Sequence, residues 1–180
     1  MMVHLTNSKS LKSAREVAVD CLSRRALTNS ELDARLQEKG YESSEINEVL
    51  EKMEKLGYLN DQELALTVSQ NRLKRYSRRR VWQDLQNRGL GPQVIEQALD
   101  LTYSSDAEFQ QCLTLAKRWW VQEGKRWEQR IQKKPSQRSI PRELWLQQKL
   151  AQKLVQRGYP SDMVRNVLYQ IQSINYGDEQ

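Results

Sequence analysis

The chain has 180 residues, a net charge of +6 and a charged fraction of 29%, with a mean hydropathy of −0.84. Seven glycines and four prolines among abundant Leu, Gln, Glu, Arg and Ala favour helix and disfavour both a disordered tail and a sheet with many turns. No stretch approaches the roughly 18 apolar residues of a membrane span, and the two cysteines lack CxxC spacing, so the expectation is a soluble, cytoplasmic protein.

The first unit, residues 1–60, begins with a polar segment around Met1-Met2-Val3-His4-Leu5 that lacks the apolar core of a secretory signal. Ser13-Ala14-Arg15-Glu16 reads as a capping box, in which serine and glutamate side chains satisfy each other's backbone N–H groups. Val17 and Cys21 follow on the apolar side. A second helix ends in Leu36-Gln37-Glu38-Lys39-Gly40, where lysine complements the helix dipole and glycine takes the left-handed position after the C-cap. A third starts near Ser43 and carries Ile46, Val49 and Leu50 on one stripe. Glu42, Glu45, Glu48, Glu51 and Glu54 recur every three residues and so drift around that helix, which predicts a solvated face and no metal site.

The same pattern returns in residues 61–104. Asn60-Asp61-Gln62-Glu63 is close to a capping box, Leu64 and Val68 repeat Val17 and Cys21, and Leu85-Gln86-Asn87-Arg88-Gly89 repeats the helix end. Pro92 opens a helix bearing Ile95, Ala98 and Leu99. The third unit, residues 105–180, has Ser105-Asp106-Ala107-Glu108 as its expected capping box, then Phe109 and Leu113, the end Leu154-Val155-Gln156-Arg157-Gly158, and a helix from Ser161 with Val164, Val167 and Leu168. Leu113, Ala116, Trp120, Trp127 and Ile131 keep helical spacing, so an insertion near 120–141 extends the first helix of this unit up to Lys133-Lys134-Pro135-Ser136, with a loop over 133–141. The fold class is therefore all-α: three tandem three-helix repeats in an elongated, curved array. A unit of about 45 residues buries too little apolar surface alone, so neighbouring copies must pack on one another.

Residues 1–60 carry 9 Lys/Arg against 10 Asp/Glu, whereas residues 61–180 carry 20 against 13. This basic remainder points toward an anionic partner. Arg72, Lys74, Arg75, Arg78, Arg79 and Arg80 form the densest cluster, with Arg72, Arg75 and Arg79 expected to converge at one turn. Three arginines at a helix start oppose the dipole, a cost that asks for a compensating role; a merely solvated face is the alternative. A second patch joins Lys117, Arg118, Lys125, Arg126, Arg130, Lys133, Lys134, Arg138 and Arg142 with Trp119, Trp120 and Trp127. Aromatics interleaved with cations suit single strands, whose bases stack while cations follow the phosphates, although tryptophan at helical spacing also builds cores. Cys21 and Cys112 fall on apolar faces, His4 is the single histidine, and no G-x-x-x-x-G-K-[ST] loop is present. No catalytic constellation, metal site or cofactor is expected.

The run Gly57-Tyr58-Leu59-Asn60-Asp61-Gln62-Glu63-Leu64-Ala65 resembles the G-Y-L-D-D-x-x-F-A signature of the RecX regulatory family, with Asn60 and Leu64 departing from it. Arg78-Arg79-Arg80-Val81-Trp82-Gln83-Asp84-Leu85-Gln86-Asn87-Arg88-Gly89 is similar to the stretch that follows, and Ser30-Glu31-Leu32 with Lys39-Gly40-Tyr41 fits the first unit. The Trp-rich basic insertion lies outside the common pattern. The resemblance implies three tandem three-helix repeats and a non-enzymatic regulator of the RecA recombinase, expected as a monomer with no membrane partner. Such a regulator binds in the groove of the RecA filament on single-stranded DNA and limits filament growth, ATP hydrolysis and coprotease activity. A helix-turn-helix module acting directly on DNA is the alternative that the three-helix units allow.

Overall fold

A computed structural model describes residues 12–133 and 140–177; His4, Lys134 and Arg138 lie outside the described residues. Those residues form helices α1 (Ala14–Leu22), α2 (Asn29–Glu38), α3 (Ser43–Lys55), α4 (Asp61–Leu73), α5 (Arg78–Asn87), α6 (Pro92–Asp100), α7 (Ser105–Lys133), α8 (Arg142–Gln156) and α9 (Ser161–Gly177). The helices pack in threes, α1–α3, α4–α6 and α7–α9. The expected extension of the third unit is present as one continuous 29-residue helix, α7.

Each trio closes its own core from equivalent positions. Leu32 and Leu36 of α2, Val81 and Leu85 of α5, and Leu150 and Leu154 of α8 are fully buried, facing Ile46, Ile95 and Val164 of the following helix. Burying one such side chain stabilises by about 1.5–3 kcal/mol, so these spacings largely determine where each trio closes. The glutamates of α3 are all exposed, as their drift predicted.

Local signals start and stop the helices. Ser13 and Glu16 form the expected capping box, and Thr28 with Glu31 forms a second at α2 that the sequence reading did not single out. α3, α6 and α9 begin at Ser43, Pro92 and Ser161 as expected. Gly40, Gly89 and Gly158 have φ of +84°, +80° and +87°, the left-handed conformation that lets a helix end satisfy its last carbonyls. The expectation at α7 needs correction. Ser104 accepts from the Ala107 N–H at 3.2 Å, and Glu108 is not half of a capping box. Its carboxylate is directed instead at the second trio, where it accepts from the Arg78 N–H at 2.7 Å.

The trios are joined by a repeated device. Thr28, the N-cap of α2, donates its hydroxyl to the Arg88 carbonyl at the end of α5, 2.6 Å away. Ser77, the N-cap of α5, donates its N–H to the Arg157 carbonyl at the end of α8, 3.1 Å away. Helices α8, α5 and α2 therefore follow one another head to tail, and each carbonyl end faces the amide end of the next. Their dipoles reinforce one another across both junctions. Thr28 and Ser77 are fully buried although polar, because both of their partners lie in the junction.

Candidate functional site

The two junctions share a plan but differ in charge. At the first, Arg88 reaches across to Glu31 at 2.8 Å, and Arg25 joins the same carboxylate at 3.2 Å. Partial burial alone would raise the Glu31 carboxyl, but hydrogen bonds from Arg88, Arg25 and the Thr28 backbone outweigh it and hold the group at about 2. At the second junction the residue equivalent to Glu31 is Arg80. Arg157, the counterpart of Arg88, thus finds no acid there. It donates to the Arg75 carbonyl at 3.2 Å and lies between two rings, 5.0 Å from the Tyr76 centroid and 5.4 Å from that of Trp119.

This arrangement explains how three arginines are tolerated at the start of α5. The Arg157 carbonyl and the Glu108 carboxylate face the first amides. Arg78 pairs with Glu96 and with Asp100, at 2.5 and 2.8 Å. Arg80 pairs with Asp84 at 3.4 Å, and Arg72 approaches the same Asp84 at 3.5 Å while stacking on Tyr76. Arg72, Arg75 and Arg79 do not converge as expected: Arg72 shares Asp84 with Arg80, whereas Arg79 lines a different hollow with Trp82, Gln83 and Gln86. Among the described residues, the side chains of Lys74, Arg75 and Arg79 are exposed and have no carboxylate partner.

The second patch divides in the same way. Lys117, Arg118 and Lys125 are exposed on α7. Arg126 is held 2.6 Å from Glu123, a carboxylate that is only 4% exposed and is also bound by Lys153. Burial alone would raise the Glu123 carboxyl, but the two cations lower it overall. Arg130 is exposed near the far end of α7. Trp119 requires a correction. It is 6% exposed within the third core, and Lys153 and Arg157 cover its ring, so it offers no face for a base. Its helical spacing served packing, while the half-buried Trp120 and Trp127 stand nearer the surface.

The two patches meet at one place. Gln111 of α7 donates to the Lys74 carbonyl at 2.8 Å, which fixes the Lys74–Arg75 turn against α7. Gln111, Arg118 and Lys125 are spaced by seven residues, so they drift only about 20° per step along one side of the helix. Arg118 and Lys125 thus stand about 10 and 21 Å beyond the turn. The result is a line of exposed cations that crosses from the second trio onto the third.

Sequence models of the first and second RecX three-helix domains match residues 14–53 and 60–99, which are the first two trios. The chain belongs to the RecX family. Regulatory proteins RecX of Caldanaerobacter subterraneus and Deinococcus radiodurans are 33% and 34% identical over 98 and 102 residues, or 54% and 57% of this chain. The matches span 50% and 49% of those relatives, so the chain covers about half the length of each. RecX of Chromobacterium violaceum is 26% identical over 157 residues, 87% of this chain and 90% of that one. The crystal structure of RecX from Lactobacillus salivarius superposes with a TM-score of 0.67 at 19% identity, covering 88% of this chain and 94% of that one. RecX proteins are named as regulators, and the repeat fold is common to both structures.

Sequence reasoning missed the members of the RecX junctions that act from a distance. Asp84 was readable as a partner of Arg80 from its i+4 spacing. Glu108 and Arg157 were not, because each acts on a residue about 30 or 80 positions away. Cys112 is buried, and burial pushes its thiol up to about 12; Cys21 is only half-buried against the first core. Among the described residues, no group of three or more His, Cys, Asp or Glu could hold a metal ion, and no helix is long and apolar enough to cross a membrane.

Proposed function

We propose that this RecX-family chain regulates the RecA recombinase by binding the RecA filament on single-stranded DNA and limiting filament extension, ATP hydrolysis and coprotease activity. The observation that carries this reading is the cation line across the second and third trios. Lys74 and Arg75 lie at one end, Arg118 and Lys125 follow, and no acid neutralises them among the described residues. A rigid, extended basic edge suits a repeating anionic partner, either phosphates or acidic side chains of successive filament subunits. Lys117 flanks the line on the neighbouring face of α7, while Arg79 is exposed beside the separate hollow with Trp82, Gln83 and Gln86. Arg72, Arg78, Arg80 and Arg126 position the scaffold instead, because carboxylates hold them. The role is one of binding, without a catalytic group, a metal or a cofactor, in a monomeric protein of the cytoplasm.

The helix-turn-helix reading receives less support. In that geometry a later helix of the unit enters the major groove. Here α3 and α6 are poorly suited: α3 carries four glutamates against two lysines, and α6 has Glu96 and Asp100 without a cation. The start of α5, where the arginines gather, is covered by the end of α8.

The test is the ATPase of RecA on single-stranded DNA, titrated with the intact chain and with Arg75→Glu/Arg118→Glu/Lys125→Glu. The triple variant should need on the order of tenfold more protein for half-inhibition at low salt, with an unchanged circular dichroism spectrum. Equal inhibition by the folded variant would remove the cation line from the mechanism. Absence of any effect of the intact chain on RecA would remove the proposal itself. Strong binding to duplex DNA without RecA, with affinity falling by a log–log salt slope of about 0.9 per phosphate contact, would instead favour the direct DNA-binding module.

A further inference from the structure

The far end of the α7–α8 pair, in the insertion that the common pattern lacks, holds a hollow of about 260 Å³. It is lined by Trp127, Arg130 and Ile131 of α7, by Ile140, and by Trp145 and Lys149 of α8, with Gln148 and Gln152 at its edge. Two half-buried indoles face it from different helices, Ile131 is buried beneath, and among the described residues two cations but no carboxylate line it. The Lys149 ammonium lies 5.7 Å from the Trp145 centroid, so that ring already has a cation over it.

The volume falls below the roughly 300–1,000 Å³ of pockets for drug-sized molecules, which points to one planar ring and not to a helix or a large ligand. A slot with two half-buried indoles, a lysine for a neighbouring phosphate and side-chain amides for ring heteroatoms is the chemistry that holds an unpaired base. We propose that this hollow binds one base of a single-stranded nucleic acid, stacked on Trp127, with Lys149 meeting an adjoining phosphate. The hollow lies on a different side of α7 from Arg118 and Lys125, and the contact needs no RecA. It therefore stands or fails apart from the regulatory reading.

The experiment is equilibrium binding of the full chain to an oligothymidylate, and to a strand of equal length and charge in which every base is absent, with RecA omitted. Stacking predicts at least roughly fivefold tighter binding of the strand with bases, accompanied by quenching of tryptophan fluorescence. Trp127→Ala should abolish that preference and leave the abasic strand unaffected, while Trp127→Phe should retain part of it. Equal affinity of the intact chain for both strands would overturn the proposal whatever the variants do. A Trp127→Ala loss of the same size on both strands would overturn it as well, because it would mark a charge or folding effect. An oligouridylate bound as tightly as oligothymidylate would support the site and extend it to RNA.

Discussion

Replacing Gly158 by alanine is expected to cost about 2–4 kcal/mol, while the same change at Gly40 costs about 1–2 kcal/mol. Both glycines have a φ that L side chains rarely adopt, +87° and +84°, so the backbone penalty is shared. The difference lies in what a methyl group would meet. At Gly158 it would come within 2.6 Å of the Ser77 hydroxyl and 2.8 Å of the Arg80 Cβ, across the second junction. At Gly40 it would meet nothing within 4 Å. Gly89 should behave like Gly158, because its added carbon would lie 2.2 Å from the Ser30 hydroxyl. Urea unfolding of the three variants checks this. Three equal losses would show that the glycines serve only the helix ends and not the junctions.

The second large effect should appear in acid. The Glu31 carboxyl is held at about 2, down from 4.5, by Arg88, Arg25 and the Thr28 backbone in spite of partial burial. A lowered carboxyl contributes its stability in full above its ordinary range and loses it as pH falls toward 2. The contribution is roughly 3 kcal/mol by linkage. Glu31→Gln should therefore lower stability near neutral pH by about 2–3 kcal/mol and have little effect near pH 2. Melting temperatures of both proteins between pH 2 and 7 should converge at the acid end. Parallel curves would mean that the carboxylate is not what ties the first junction. Arg88→Ala combined with Glu31→Gln should lose less than the two single changes added together.

These junctions mark how far the sequence could be read. Within each trio, periodicity reveals the packing because both partners lie on a few consecutive turns. Leu36, Leu85 and Leu154 with their glycines locate the helix ends, and Ile46, Ile95 and Val164 locate the faces. Between trios no period exists to read. Thr28 and Arg88 meet across 60 positions, and Arg75 and Arg157 across 82. The cation clusters were visible as composition, but which cations stay unpaired depended on Asp84, Glu96, Asp100 and Glu123, three of them on other helices or distant turns. Trp119 was misleading for a related reason. Core and surface tryptophans carry the same helical spacing, and only the packing of α8 against α7 assigns this one to the interior.

The head-to-tail order of α8, α5 and α2 also gives the chain a direction in time. Every junction is made by an N-cap that appears early and a helix end that appears late. At a synthesis rate of roughly 5–20 residues per second, Thr28 leaves the ribosome about 3–12 s before Arg88 arrives to accept its hydroxyl. Ser77 then waits in the same way for Arg157, the residue whose carbonyl completes it. Until the second trio emerges, the Thr28 hydroxyl of a nascent chain has no carbonyl to donate to, although its capping box with Glu31 is already formed. The Ser77 N–H lacks its acceptor until the third. Loss of the last trio would recreate that unfinished state at Ser77, whereas loss of the first would leave Ser77 and its partner untouched.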